Sequence, residues 1–475
     1  MSFVDASQRP STVGQFVFPP AFVWGAATAA YQIEGAAAQD GRTPSMWDVF
    51  AHTPGKVANG DTGDVAADHY NRYRDDVALM ADLGIAAYRF SVSWPRVIPR
   101  GVGPTNPHGI DFYSRLVDEL LAAGIAPTLT LYHWDLPAEL NDAGGWLNRD
   151  TAYRFADYAA VVAGELGDRV PTWTTLNEPW CSAFLGYGNG EHAPGHTDAA
   201  EALTAAHHLL LAHGLGVQQL RATLPPAAEV SITLNPGLPR PIDDTPEDHA
   251  AAWKVYGLQT RLWTDPLFRA RYPADVQEFT SGVTDWSFVQ DGDLDIIAAP
   301  IDVLGVNFYN PGLVGHRNAS DSAGTRARDS SPMWPGCSDV RFFDMLGEHT
   351  AMGWPVDETG LHEVLLRLYR EYGVPLVITE NGAAYDDSVS ADGEIHDAQR
   401  VSYLRRHLEA VHQAVADGVD VRGYYVWSLM DNFEWAWGYD KRFGVVRVDF
   451  ETQERTIKDS GYFYRDVVQR NALPL

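Results

Sequence analysis

Two glutamates stand where they do little for packing. Glu178 closes the run "TWTTLNEPW" at 172–180. That run begins as a strand, with β-branched and aromatic residues in alternation, and stops on Asn-Glu-Pro. Proline lacks the N–H a sheet ladder needs and biases its predecessor away from helix, so Glu178 falls at the C-terminal tip of a strand. Glu380 stands in the same place in "VPLVITENG". A pair of carboxyls can cleave a glycosidic bond when one protonates the leaving oxygen and the other attacks the sugar or activates water. A separation of about 5–5.5 Å gives retention through a covalent intermediate, and about 6.5–9.5 Å gives inversion. The sequence alone leaves that distance open.

Something must bring these residues together. Eight apolar, strand-like runs occur along the chain: "FVWGAATAAYQIEG", "AAYRFSVSW", "APTLTLYHWD", "PTWTTLNEP", "EVSITLN", "IDVLGVNFYN", "VPLVITENG" and "VRGYYVWSLMDNFEW". Helical patterns lie between them at 68–83, 109–123, 151–166, 199–222, around "AAWKVYGLQTRLW", at 361–372 and at 398–416. A last one closes the chain at 460–469. Strands alternating with helices imply parallel pairing with right-handed crossovers. Eight units predict an α/β fold, a single-domain (β/α)8 TIM barrel with elaborated βα loops. A doubly wound sheet would want a Gly-rich phosphate turn after an early strand, and none is evident. Residues 1–15 read as an N-terminal leader and 16–475 as the catalytic barrel. The stretch "VGHRNASDSAGTRARDSSPMWPGCSD" reads as a long polar loop, which is functional or disordered in most proteins.

In a barrel the strand ends converge on one mouth. They deliver Gln32 and Glu34, Arg89 and Trp94, then His133, Trp134 and Asp135. Further round come Asn177 and Glu178, Asn307 and Tyr309, Glu380 and Asn381, and finally Trp427, Glu434 and Trp435. Taken singly, each has a plain structural reading: a histidine there is more often a hydrogen-bonder than a catalyst, and Arg89 could be an ordinary ion-pair partner. Together, polar groups interleaved with aromatic rings suit a pocket for a neutral polyhydroxylated ligand with apolar faces.

Composition narrows the partners. The chain has 475 residues, a formal charge of −28, 45% hydrophobic and 12% aromatic residues, with 15 Trp. That charge argues against nucleic acid and anionic membrane as partners, both of which need basic patches. Two cysteines, Cys181 and Cys337, make no disulfide framework, and no metal spacing is present. No signal-peptide pattern and no apolar run of about 20 residues is found. The expectation is a cytoplasmic protein without metal or cofactor, acting on a small-molecule glycoside, with a homo-oligomer open.

The sequence resembles glycoside hydrolase family 1, the retaining β-glucosidases and their relatives. The resemblance runs through nearly the whole chain. It is carried by "FVWGAATAAYQIEG", "RFSVSWPRVIP", "TLYHWDLP", "TLNEPWCSAFLGYGNGEHAPG", "GVNFYN", "ITENGAAYDD" and "YYVWSLMDNFEWAWGYDKRFGVVRVDF". It implies Glu178 as acid/base and Glu380 as nucleophile. It implies a glycone-binding set of Gln32, His133, Asn177, Glu434 and Trp435, with Trp427 as stacking platform. Arg89 and Tyr309 would keep the nucleophile ionised, and Trp354 would wall the aglycone side, next to Pro355 where relatives often carry Glu. Trp134, Asn307 and Phe443 complete the expected substrate-binding residues. The phospho-glycosidase branch carries Ser, Lys and Tyr in the last loop; here only Lys441 matches, and Glu434 and Phe443 stand at the other two positions. A carboxylate facing a phosphate repels it, so an unphosphorylated sugar is expected. The charge of Glu380 is expected to raise the pKa of Glu178. The implied activity is hydrolysis of terminal β-D-glucosides, with galactosides and fucosides as further candidates. A transglycosidase and a catalytically silent carbohydrate-binding relative are the alternatives.

Overall fold

In the run Ala87–Ser91, Tyr and Phe alternate with Ala, Arg and Ser. A computed structural model, which describes residues 16–319 and 327–474, shows what the alternation serves. Tyr88 and Phe90 stack at 5.8 Å, and Phe90 meets Tyr113 of the helix Pro107–Ala122 at 6.5 Å. Arg89, between them, points the other way and reaches a carboxylate on a distant strand. The wall thus has an apolar outer face and a polar inner one, as the two-residue period of a strand dictates.

Eight parallel strands close the barrel in chain order. They are Val23–Ala27, Ala87–Ser91, Ala126–Tyr132, Thr172–Asn177, Glu229–Leu234, Val303–Asn307, Leu376–Asn381 and Val421–Trp427. The first pairs with both the second and the eighth, so no edge remains. Every run read as a strand contributes one. The long helices fall within two residues of the expected spans. The largest differences are two residues, at the helices read from 109 and 361, which begin at Pro107 and Thr359. Proline suits the first helical position, and the Asn106 side chain caps the turn by accepting from His108 N–H at 3.3 Å. Among the described residues no helix is long and apolar enough to cross a membrane.

A small sheet that the sequence does not announce joins the segment after the fifth barrel strand to the long polar loop and the residues that follow it. Its strands Arg240–Pro241, Leu313–His316, Val340–Phe343 and Ala327–Asp329 pair in that order. None exceeds four residues, too few for an alternation to show. Residues 320–326 of that stretch, and the expected leader at 1–15, lie outside the described residues.

Candidate active site

Both strands that carry a carboxylate break register just before it. The fourth strand shifts against the fifth between Thr174 and Asn177. The seventh shifts against the sixth between Ile378 and Glu380, and against the eighth between Ile378 and Asn381. Such irregularities re-aim a side chain and favour active sites. Glu178 has φ 42°, Trp134 φ 79° and Trp435 φ 51°. These left-handed values are costly for non-glycine residues and tend to cluster at functional sites. Directly after Glu178 and its Pro-Trp pair, Cys181–Gly188 winds as a π-helix, another geometry frequent at such sites.

The two carboxyls have different partners. Arg89 Nη1 donates to Glu380 Oε1 at 2.6 Å, and Tyr309 O–H donates to Glu380 Oε2 at 2.7 Å. Glu178 Oε1 accepts from Asn307 Nδ2 at 2.6 Å, and Glu178 Oε2 from the Cys181 thiol at 3.0 Å. A bridge joins the two sides: Asn177 Oδ1 accepts from Arg89 Nη2 at 2.7 Å and from Asn307 Nδ2 at 3.1 Å. Thr379 O–H holds Asn307 Oδ1 at 2.7 Å. Glu178 and Glu380 are 6% and 3% exposed, so this network is shielded from bulk water.

Two donors fix the Asn177 amide, so its Nδ2 faces His133 Nε2 at 3.1 Å. Burial first, then the Arg89 charge, holds His133 well below the usual imidazole range. The ring is therefore neutral, its Nε2 accepts, and its proton sits on Nδ1. That Nδ1 has no protein partner, nor do Gln32 Oε1 and Trp180 Nε1, all three buried. Buried polar atoms without partners are uncommon and point to ligand hydroxyls.

Above the carboxyls lies a cavity of about 560 Å³. His133 stacks at 5.9 Å on both Trp427 and Trp435, and Trp134 packs on Trp435 at 4.6 Å. Trp354 and Phe443 meet Tyr309 at 5.4 and 6.0 Å on another side. Trp180 lines the outer part, backed by Trp334 at 5.4 Å. Gln32 Nε2 donates to Asn432 Oδ1 at 3.0 Å and Phe433 O at 2.9 Å, with Glu434 Oε2 at 3.5 Å. Lys441 Nζ donates to Ala351 O at 2.8 Å and lies over the Trp437 ring at 4.9 Å.

Arg89 acts on both Glu178 and Glu380 and binds only Glu380. Burial raises Glu380, opposed by the charge and hydrogen bond of Arg89 and by hydrogen bonds from Tyr309 and Asn307. Glu178 is pushed up to about 7, by burial first and by Glu380 second. The sequence reading named only the charge; the larger cause is loss of water. Glu434 is pushed up to about 8 by burial, then by Glu380 and Glu178. With both Arg89 and Tyr309 on Glu380, that carboxyl is the one favoured to carry charge at neutral pH.

A family model described as glycosyl hydrolase family 1 matches residues 15–473. A bifunctional beta-D-glucosidase/beta-D-fucosidase from Bifidobacterium breve is 54% identical, covering 94% of this chain and 97% of that protein. This chain belongs to glycosyl hydrolase family 1. Two solved structures of β-glucosidases are similar throughout. One, psychrophilic and from Micrococcus antarcticus, has TM-score 0.91 and 49% identity over 96% of this chain and 98% of that one. The other, from Thermotoga maritima in complex with deoxynojirimycin, has TM-score 0.90 and 44% identity over 96% and 100%.

Within this family 1 chain, most residues singled out from the sequence lie in or around one cavity, whereas Trp94 stacks on Tyr158 at 4.8 Å and Asn381 donates to Phe308 O at 2.6 Å, both away from it. Asn307, expected among the substrate-binding residues, spends its amide on Glu178, Asn177 and Thr379. Glu34, also at a strand end, lies behind the mouth, paired with Arg96 at 2.9 Å and Tyr113 at 2.6 Å. Asp135 is fully buried, and burial pushes its carboxyl well above the usual carboxylate range, opposed by Ser93 and the Arg42 charge. Sequence reasoning missed Cys181 and Thr379 as part of the network. Their signal was adjacency: Thr379 precedes Glu380, and Cys181 lies one helical turn after Glu178.

Proposed function

We propose that this chain is a retaining β-glucosidase that hydrolyses terminal β-D-glucosides by double displacement. The observation that carries this reading is the asymmetry of the carboxyls: Arg89 and Tyr309 both bind Glu380, and neither binds Glu178. That asymmetry sets an ionised nucleophile beside a protonated acid at neutral pH. Glu380 attacks the anomeric carbon while Glu178 protonates the departing oxygen. The glycosylated Glu380 has lost its charge, so the pKa of Glu178 falls from about 7 and it can take a proton from water. The free N–H of Asn177 is placed to donate to the 2-hydroxyl, a bond that strengthens in the transition state. The unpartnered atoms of Gln32 and His133 suit the hydroxyls farther round the ring, with Glu434 beside them.

β-Fucosides are a second substrate class, supported by the Bifidobacterium breve relative; they lack the 6-hydroxyl and would lose part of the Glu434 contact. Residues 16–475 are read as one catalytic unit. A cytoplasmic site of action is supported by two buried, unpaired cysteines, a pattern of reducing compartments. Breakdown of cellulose-derived oligosaccharides, and assembly into homo-oligomers, complete the reading. The test is hydrolysis of p-nitrophenyl β-glucoside followed by proton NMR. β-Glucose should form first and then mutarotate. α-Glucose appearing first would mean inversion. No turnover between about pH 5 and 8 with folded protein would favour the silent relative.

A further inference from the structure

The Cys181 thiol is buried, and its surroundings leave it one role. Its sulfur lies 3.0 Å from Glu178 Oε2. Its backbone N–H donates to the carbonyl of Glu178 at 2.9 Å, so main chain and side chain are tied to the same residue. On the other side, Asn235 Nδ2 donates to the sulfur at 3.6 Å. An amide nitrogen can only donate, so the acceptor side of the sulfur is engaged and its S–H is left for Glu178. Oε1 of the same carboxyl is occupied by Asn307 Nδ2, also a pure donor.

We infer that Cys181 is a positioning residue for the acid/base, a permanent S–H donor that aims Glu178 Oε2 and favours its carboxylate form. This rests on the reading of Glu178 given above and deepens it. The thiol stays protonated throughout: burial, then the carboxylates Glu178, Glu380 and Glu191, push it well above the ordinary cysteine range. It therefore acts as a donor and not as a nucleophile. The ionisable groups facing Glu178 are Glu380 and Arg89 from other strands, Tyr309 and Glu434 from the loops after the sixth and eighth strands, and Cys181 from its own turn. Glu380 raises Glu178, and Arg89, Asn307 and Cys181 lower it. Of the donors to the Glu178 carboxyl, Cys181 is the one that does not also bond Asn177 or Glu380, so it can be removed without dismantling the bridge.

The sign follows. Loss of a donor to the charged form raises the pKa. In Cys181→Ala the alkaline limb of kcat/KM, which reports free enzyme, should move up by about half a unit, about threefold in proton affinity. With an activated aryl glucoside whose deglycosylation limits turnover, the acid limb of kcat should move up as well, because there Glu178 must be deprotonated. A packing defect would lower both plateaus and leave both limbs in place. Cys181→Ser, which restores a donor, should return the limbs toward wild type. In a Glu178→Gln background, adding Cys181→Ala should move no limb, which separates Glu178 from Glu434. Unmoved limbs in folded Cys181→Ala, or an equal displacement in Cys181→Ser, overturn the inference. If instead the wild type fails to turn over, or Glu178→Gln keeps its alkaline limb, the reading of Glu178 itself is what has failed.

Discussion

The barrel has a cavity at each mouth, and the two are nearly equal in size. The one over the C-terminal ends of the strands measures about 560 Å³; the one at the N-terminal ends measures about 590 Å³. Their chemistry differs. In the lower cavity the hydroxyls satisfy one another: Thr128 with Tyr425 at 2.9 Å, Thr174 with Ser231 at 2.8 Å. Its charged lining residues, Glu229, Asp420 and Arg422, sit at the rim in pairs of 3.3–3.5 Å that remain open to water. In the upper cavity charges are buried, pKa values are displaced, and Gln32, His133 and Trp180 each keep an unpartnered atom. Volume alone does not make a site; buried charge held by an incomplete set of partners does.

The hardest blow to the upper cavity is removal of its fixed charge. Glu380→Ala should abolish hydrolysis, a loss of about 10⁴-fold or more in kcat/KM, since no glycosyl-enzyme can form. Azide or formate should restore turnover of an activated substrate with inverted configuration. Substantial unaided activity would take Glu380 out of the nucleophile role.

Glu178→Gln keeps shape and removes the proton. A poor leaving group, as in cellobiose, should lose about 10²-fold or more. An activated aryl glucoside needs little protonation, so its first step should stay fast and the second become slow. A burst of phenol with a lowered KM is the expected trace. Wild-type activity requires protonated Glu178 and should fall as pH rises through about 7; in the variant that limb should vanish. Equal loss on good and poor leaving groups, with the limb retained, would make Glu178 a binding residue.

The contrast between mouths also explains what the sequence disclosed. Strand runs and the carboxylates at their tips were legible because a two-residue period and an Asn-Glu-Pro stop are local. Arg89 beside Glu380 was an expectation carried by resemblance; its second tie, through Nη2 to Asn177, was not, since it joins strands far apart in the chain. The short strands around Leu313–His316 were hidden by their length. The lower cavity left no signal, because Thr128, Thr174 and Ser231 are ordinary strand residues whose mutual pairing appears only once the barrel closes. The dominance of burial in raising Glu178 was equally out of reach, since exposure is a property of the fold.

Glu434→Ser trims the upper cavity without touching its charge pair. The hydrogen bonds lost to the 4- and 6-hydroxyls are together worth about 1–3 kcal/mol, on the order of 5–150-fold in kcat/KM for glucosides. β-Fucosides, lacking the 6-hydroxyl, should lose less. An unchanged kcat/KM for glucosides would place Glu434 outside the pocket.

The smallest effects fall on the floor between the cavities, where one pair of substitutions separates them. Thr379 lines the lower cavity, yet its hydroxyl points upward and donates to Asn307 Oδ1 at 2.7 Å. Thr379→Val would strand that buried acceptor and loosen the amide that holds Glu178. The expected cost is on the order of 5–30-fold in kcat/KM, from an unsatisfied group worth about 1–2 kcal/mol. Thr174→Val is the same chemical change on the fourth strand. Its lost partner, Ser231, still donates to Trp173 O at 3.2 Å, so nothing is left stranded. Here kcat/KM should stay within about twofold and stability within about 1 kcal/mol, read by steady-state kinetics and thermal unfolding. Two hydroxyls in one cavity would then differ only in where their hydrogen bonds lead. If Thr174→Val cost as much activity as Thr379→Val, the lower cavity would belong to the working site, and the division between the two mouths would be wrong.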